Sequence, residues 1–319
     1  MNTKTDSREL FVLGAPHSSV WGTYHWPHGS HSGAQSDSAR DRVGVVSLNS
    51  FSATRAANGD GTVYLADALA QLGYPAFRID LPGFGDSAGD PPENLPDFVN
   101  RGGYAPAAAS AIRALVTQYG LSGVIIEGHC AGAVSAIYTA AISRECRGLL
   151  LRAPYFHLPP PPRPKTREQL STWAMKSRTG DLLSRAFDGL KAIRLRLRGS
   201  RIPDNANRSL LGCWKKIASA GLPVLILVGP ARRSSGTQPR LGEFDFLRYA
   251  LNLAGPRGRV ELRVAEGTDH SFANRLGRAQ VKQLSADWLK TYFPRAAASD
   301  FVNAPISAEA IADRQIVEG

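Results

Sequence analysis

From residue 43 onward the chain alternates short apolar runs with longer amphipathic stretches, and this alternation restricts the fold more than any other feature. The runs VGVVSLN (43–49), PAFRID (75–80), SGVIIEG (122–128), RGLLLRAP (147–154), LPVLILVGP (222–230) and RVELRVAEG (259–267) have the length and β-branched content of buried strands. The spacing predicts helices over 62–72, 105–119, 131–143, near 241–253 and over 275–292. Strands separated by helices build a mostly parallel sheet covered on both faces, an α/β fold. Ahead of it, residues 11–27 read as two short strands around a turn, followed by the polar loop HGSHSGAQSDSARD.

The alternation breaks once. After residue 154 comes YFHLPPPPRPK, too rich in proline for regular helix or central strand. About 50 residues of amphipathic, basic helix follow, with Trp173, Leu182, Leu183, Phe187, Leu190 and Trp214 as apolar positions. We therefore expect a core of residues 11–154 and 221–293, a helical cap over 155–220 inserted between two strands, and a loosely held tail over 294–319. Of the formal net charge of +11, the segment 163–201 carries a large share, with 11 Lys and Arg against 3 Asp and Glu. Such a patch is either a solvated helical face or a surface for an anionic partner, for example a phosphorylated substrate or an acidic carrier protein.

Other classes are not favoured. No run reaches the roughly 18 apolar residues of a membrane span, and MNTKTDSREL carries no hydrophobic signal segment. Three cysteines, Cys130, Cys146 and Cys213, are too few and too scattered for a disulfide framework or zinc site, so a reducing cytoplasm is the expected compartment. His25, His28 and His31 are interrupted by Pro27 and Gly29 and lack a carboxylate, so no metal or other cofactor is expected. No nucleic-acid motif accompanies the basic charge.

The chemistry concentrates at VIIEGHCAGAV (124–134). Gly128-His129-Cys130-Ala131-Gly132 fits G-x-S-x-G with cysteine for serine, at a strand-to-helix junction. The glycines permit a sharp turn that displays residue 130 at its tip. The N-terminus of the next helix favours a thiolate, which predicts a thiol pKa below its ordinary value of about 8.5. The Ala131 N–H is positioned as one oxyanion donor. The alternative is a small apolar cysteine tucked beneath a tight turn. Further along, AEGTDHSFANR places His270 in a loop after the last strand.

Three blocks, DLPGFGDS (80–87), GHCAG (128–132) and DHSF (269–272), resemble those of the α/β-hydrolase superfamily, and the resemblance spans roughly residues 11–293. More weakly, the stretch 48–74 and the DHSF block resemble hydrolases found beside biosynthetic genes. A cysteine at the elbow is also similar to that of dienelactone hydrolases and of some cysteine-dependent thioesterases. The resemblance implies Cys130 as nucleophile and His270 as general base, with Ser50 and Phe51, after strand 43–49, supplying the second oxyanion N–H.

The third triad member is where the chain departs from the pattern. The carboxylate that the resemblance implies after strand 222–229 is replaced by Gly229-Pro230-Ala231-Arg232-Arg233. Downstream, Glu243 and Asp245 can reach His270 if the intervening RRSSGTQPR folds back; a plain helix-surface role is the alternative for each. A cysteine depends less on this acid, because its ordinary pKa of about 8.5 lies near the histidine value of about 6.5. These residues together predict a cysteine-dependent acyl hydrolase or acyltransferase working on an acyl-Cys130 intermediate, with a small-molecule acyl substrate that is anionic or carrier-bound. The competing expectation is an inactive binding protein on the same fold.

Overall fold

The computed structural model describes residues 7–27, 42–51, 53–159, 202–230 and 244–295. Its strands are β1 (Arg8–Leu13), β2 (Val20–His25), β3 (Val43–Leu48), β4 (Ala76–Ile79), β5 (Gly123–His129), β6 (Cys146–Arg152), β7 (Val224–Val228) and β8 (Val260–Val264). The helices are α1 (Gly61–Gln71), α2 (Leu95–Asn100), α3 (Ala105–Gln118), α4 (Ala131–Ala140), α5 (Arg208–Ser219), α6 (Phe246–Ala254) and α7 (Arg275–Tyr292). Among the described residues one sheet runs in the order β1-β2-β4-β3-β5-β6-β7-β8. β2 pairs antiparallel with both β1 and β4, and every other pairing is parallel.

All seven residues of β5 are buried, as befits the central strand of a sheet covered on both faces. Alternation along the strands separates two cores. Ile126, Leu149, Leu151 and Val224 face a cluster with Ile112 and Leu115 of α3, Val134 and Ile137 of α4, and Leu210 and Trp214 of α5. Ile125, Leu150 and Leu225 face the opposite cluster, with Leu65 and Leu69 of α1 and Val281, Trp288 and Leu289 of α7. Within α3, Ala108, Ile112 and Leu115 recur at the three- and four-residue spacing that lines one helix face, which is why this segment coils against the sheet.

One domain boundary differs from the sequence expectation. Residues 208–219, placed within the inserted cap, form α5, which packs against α4 and α6 as part of the layer covering the sheet. Leu210, Trp214 and Ile217 repeat at helical spacing and are buried, and the indole N–H of Trp214 donates to Ala250 O at 2.7 Å. The basic residues of this helix, including Lys215 and Lys216, occupy its outer face, so its amphipathicity reflects packing on the core. Within the expected cap, residues 160–201 lie outside the described residues, as does the tail from residue 296.

Both ring nitrogens of His25 are engaged by protein side chains. Its ring is buried, Nδ1 donates to Asp67 Oδ1 at 2.7 Å, and Nε2 accepts from Arg78 Nε at 2.8 Å; His28 and His31 lie outside the described residues. Burial, reinforced by the Arg78 charge, pushes His25 down to about 4. An unfolded chain protonates histidine near pH 6.5, so between about 6.5 and 4 the unfolded state binds the extra proton. Stability should therefore fall as pH drops through that window, by up to about 1.4 kcal/mol per pH unit. Equilibrium unfolding measured from pH 7 to pH 4 should show this slope and should show it flattened in His25→Gln; an equal slope in both proteins would remove His25 from the account.

Candidate active site

The elbow is built by three backbone constraints. At the end of β5 the chain reverses through Cys130, whose φ of 53° and ψ of −113° are rarely adopted by a residue with a side chain. The Cys130 N–H donates to Arg152 O at the end of β6, at 2.8 Å, while Cys130 O accepts from Ala133 and Val134 to open α4. The flanking glycines let these pieces approach. A Cβ at Gly128 would overlap the Gly132 carbonyl, and one at Gly132 would stand 2.8 Å from Leu48 O. This close packing of β5, α4 and the end of β3 leaves the Cys130 side chain half-buried at the tip.

The thiol departs from expectation in one respect. The Ala131 N–H hydrogen-bonds toward the sulfur and favours the thiolate, as a helix N-terminus should, but burial acts more strongly and raises the Cys130 pKa above its ordinary value. At neutral pH the Cys130 side chain is therefore held as a thiol. Cys146 is buried on β6 and pushed up to about 12, and burial also raises Cys213.

His270 lies in the turn between β8 and α7. Burial lowers its pKa below the ordinary histidine value, with the Asp269 charge opposing, so the imidazole is neutral near pH 7. Its main chain is tied to the elbow: the ring of His129 lies 2.8 Å from His270 O, and the two imidazole centroids are 5.3 Å apart. The loop is fixed on its other side as well. Asp269 accepts from Ser271 N and Oγ at 2.9 and 2.6 Å, and Phe272, with a φ of 53°, is buried edge-on to His129. No hydrogen bond joins the Cys130 thiol to His270 among the described residues.

The third position stays open. Asp245, one of the two expected acids, is the N-cap of α6 and accepts from Arg248 N at 2.9 Å, a capping role distinct from both the triad role and the plain helix-surface role expected for it. Glu243 lies outside the described residues. His270 Nδ1 is buried without a hydrogen-bond partner among the described residues. The end of β7 does run beside this loop, since a Cβ at Gly229 would lie 3.0 Å from Asp269 O.

Ser50 and Phe51 follow β3, next to Asn49, whose carbonyl flanks Gly132. Phe51 has a φ of 37°. Residue pairs that the sequence reading missed hold this loop. Asn49 Nδ2 donates to Ala53 O at 2.7 Å, and its Oδ1 accepts from Leu81 N at 3.0 Å. Asp80, fully buried at the start of the DLPGFG turn, accepts from Arg55 N at 2.6 Å and is ion-paired to the Arg55 guanidinium, which also reaches Asp86 at 2.8 Å. The signal was a carboxylate directly after an apolar strand, where a side chain is buried and needs a charged partner. Tyr155, just past β6, is also missing from the sequence-derived set. Burial raises its pKa, and the charge of a Cys130 thiolate adds to that rise. Its ring leads to His157 and on to Phe246 at centroid distances of 5.8 and 5.4 Å.

A mostly parallel sheet carrying a strained elbow at the end of its central strand, with a histidine loop after its last strand, defines a nucleophile-elbow α/β protein. Residues 53–300 match the family model described as the alpha/beta hydrolase family. The chain therefore belongs to the α/β-hydrolase family and is an enzyme of the hydrolase type. Solved structures that share the fold include an esterase from Pyrococcus furiosus (14% identity, 90% of this chain and 91% of that one, TM-score 0.56). Dienelactone hydrolase from Anabaena variabilis (14% identity, 90% and 99% covered, TM-score 0.54) also shares it. So does a cold-adapted esterase from an Arctic intertidal metagenomic library (16% identity, 91% and 98% covered, TM-score 0.51). No curated protein sequence matches the chain. Among the described residues no helix is long and apolar enough to cross a membrane, and no group of three His, Cys, Asp or Glu side chains is placed to hold a metal ion.

The direction of the Cys130 shift has a direct readout. Below its pKa the thiolate fraction grows tenfold per pH unit, so alkylation of Cys130 by iodoacetamide, followed by peptide mapping, should be slow at pH 7 and still rising at pH 9. A rate that levels off below pH 7.5 would mean that the helix N-terminus outweighs burial.

Proposed function

We propose that the protein is a cysteine-dependent acyl hydrolase or acyltransferase of the esterase or thioesterase type. The observation that carries this reading is the strained display of Cys130 with the Ala131 N–H directed at its sulfur, beside a neutral His270 whose loop is fastened to the same turn. The esterases and the dienelactone hydrolase that share the fold support ester or lactone chemistry.

The resting states suit general-base catalysis. A protonated thiol facing a neutral imidazole loses its proton to His270 as the sulfur attacks the acyl carbon. The oxyanion is held by Ala131 N–H with the Ser50–Phe51 loop. As the tetrahedral adduct collapses, the leaving alkoxide or thiolate takes the proton from His270, leaving an acyl-Cys130 thioester. Water then attacks that thioester, giving its proton to His270. The carboxylic acid departs, and the sulfur recovers its proton. An amine or thiol acceptor in place of water makes the same cycle an acyl transfer. Tyr155, beside the thiol, is positioned against the acyl group. The positive charge of 163–201 supports an anionic or carrier-bound acyl donor.

One observation favours the competing reading of a non-catalytic binding protein: the open Nδ1 of His270, with Asp245 committed to a helix cap. Steady-state assays on a panel of acyl thioesters and aryl esters separate the two. Turnover should fall by at least about 10³-fold in both Cys130→Ala and His270→Ala, as for members of one catalytic unit. Turnover that both variants retain, or its absence across the panel in the unaltered protein, favours the binding role.

A further inference from the structure

Among the described residues no group holds Nδ1 of His270, and the contact that ties its loop to the elbow is of another kind. The one elbow side chain that reaches the histidine loop among the described residues is His129, between Gly128 and Cys130. Its Nε2 lies 2.8 Å from His270 O. A carbonyl oxygen only accepts, so Nε2 carries the hydrogen and the ring is a donor of fixed tautomer. Burial, then the nearby Arg152 charge, keeps this ring far below the ordinary histidine range, at about 3, so the donor stays neutral at any working pH.

The surroundings lock the ring in place. His129 is the last residue of β5, buried, and in register with Arg152 of β6. Arg152 Nε in turn donates to the fully buried Glu127 Oε1 at 2.7 Å, two residues earlier on β5. Phe272 meets the His129 ring edge-on at 5.8 Å. His129 and Cys130 are consecutive on one strained turn, so any shift of the His270 main chain relative to His129 is equally a shift relative to the nucleophile.

We infer that His129 is a positioning residue: its Nε2–H···O=C bond sets His270 against Cys130, performing through the main chain the orienting task that a carboxylate performs at Nδ1 in a complete triad. The inference rests on the reading of Cys130 as nucleophile and His270 as base. The charged group acting on His270 among the described residues is Asp269, which precedes it; the His129 ring across the turn is neutral.

The test compares the full-length protein with His129→Phe, which keeps a ring but no donor, and His129→Gln, which restores a donor. Each is assayed for kcat and KM on a butyryl thioester from pH 5 to pH 9, with thermal unfolding in parallel. In His129→Phe, kcat should drop about 10- to 100-fold while KM stays within about twofold, the size of loss that follows a small misplacement of a catalytic group. His129→Gln should recover a large part of that loss. Burial lowers the His270 pKa, so a loosened loop should return it toward about 6.5 and move the acid limb of the rate profile to higher pH. The inference is overturned if His129→Phe keeps kcat within twofold, or if kcat falls with no shift of the acid limb and no recovery in His129→Gln. Failure of the underlying reading looks different: the unaltered protein would then turn over no thioester, or Cys130→Ala would match it.

Discussion

The molecule is organised around the turn at Cys130. A positive φ at a residue with a side chain costs about 1–3 kcal/mol and persists only where the surroundings enforce it. Here the enforcement is the contact of Gly128 with Gly132, the approach of Gly132 to the end of β3, and the Cys130 N–H held by Arg152 O. Each of these needs β3, β5 and β6 side by side and parallel, so that their carboxyl ends lie at one edge of the sheet. The sheet order is thus the means by which one sulfur is raised from a buried strand and given a helix N-terminus.

The charges around this turn are arranged to keep the site itself neutral. Glu127 pairs with Arg152 and Asp80 with Arg55, so these two fully buried carboxylates each meet a cation, while the half-buried Asp67 pairs with Arg8 and accepts from the neutral His25. Among the described residues no cation enters the thiol's titration, which burial dominates, and burial likewise keeps His129 and His270 uncharged. In the proposed mechanism such a site transfers the proton during attack, unlike a preformed thiolate–imidazolium pair. A cysteine suits that arrangement because its proton and that of imidazole are closer in affinity than those of a serine hydroxyl and imidazole.

Much of this was legible in the residues. The period of the apolar runs revealed the parallel strands and their helices, and the glycine spacing around Cys130 revealed the elbow, because both patterns act locally. Features set by distant partners were hidden. β2 pairs with β4 across more than fifty residues, and no local pattern announces it. Trp214 looked like part of a basic cap because its helix is amphipathic, and amphipathicity is the same whether a helix covers a sheet or a cleft. The raised thiol follows from how deeply the turn is buried, which the helix-dipole argument omits. The Asp245 cap, by contrast, was readable: an aspartate directly before an amphipathic helix accepts from the N–H three residues on. The tie from His129 to His270 spans 141 positions and appears only once the last strand is laid beside the central one.

The central claim is that Cys130 forms a covalent bond to an acyl group during the reaction. Its most direct measurement is the intact mass of the protein quenched in acid within seconds of mixing with excess acyl thioester, followed by peptide mapping. A gain equal to one acyl group, located on the peptide holding Cys130, absent in Cys130→Ala and accumulating in His270→Gln if deacylation is slowed more than acylation, is the expected result. Substrate consumption with no adduct on Cys130, or an adduct on Cys146 or Cys213 instead, would contradict it.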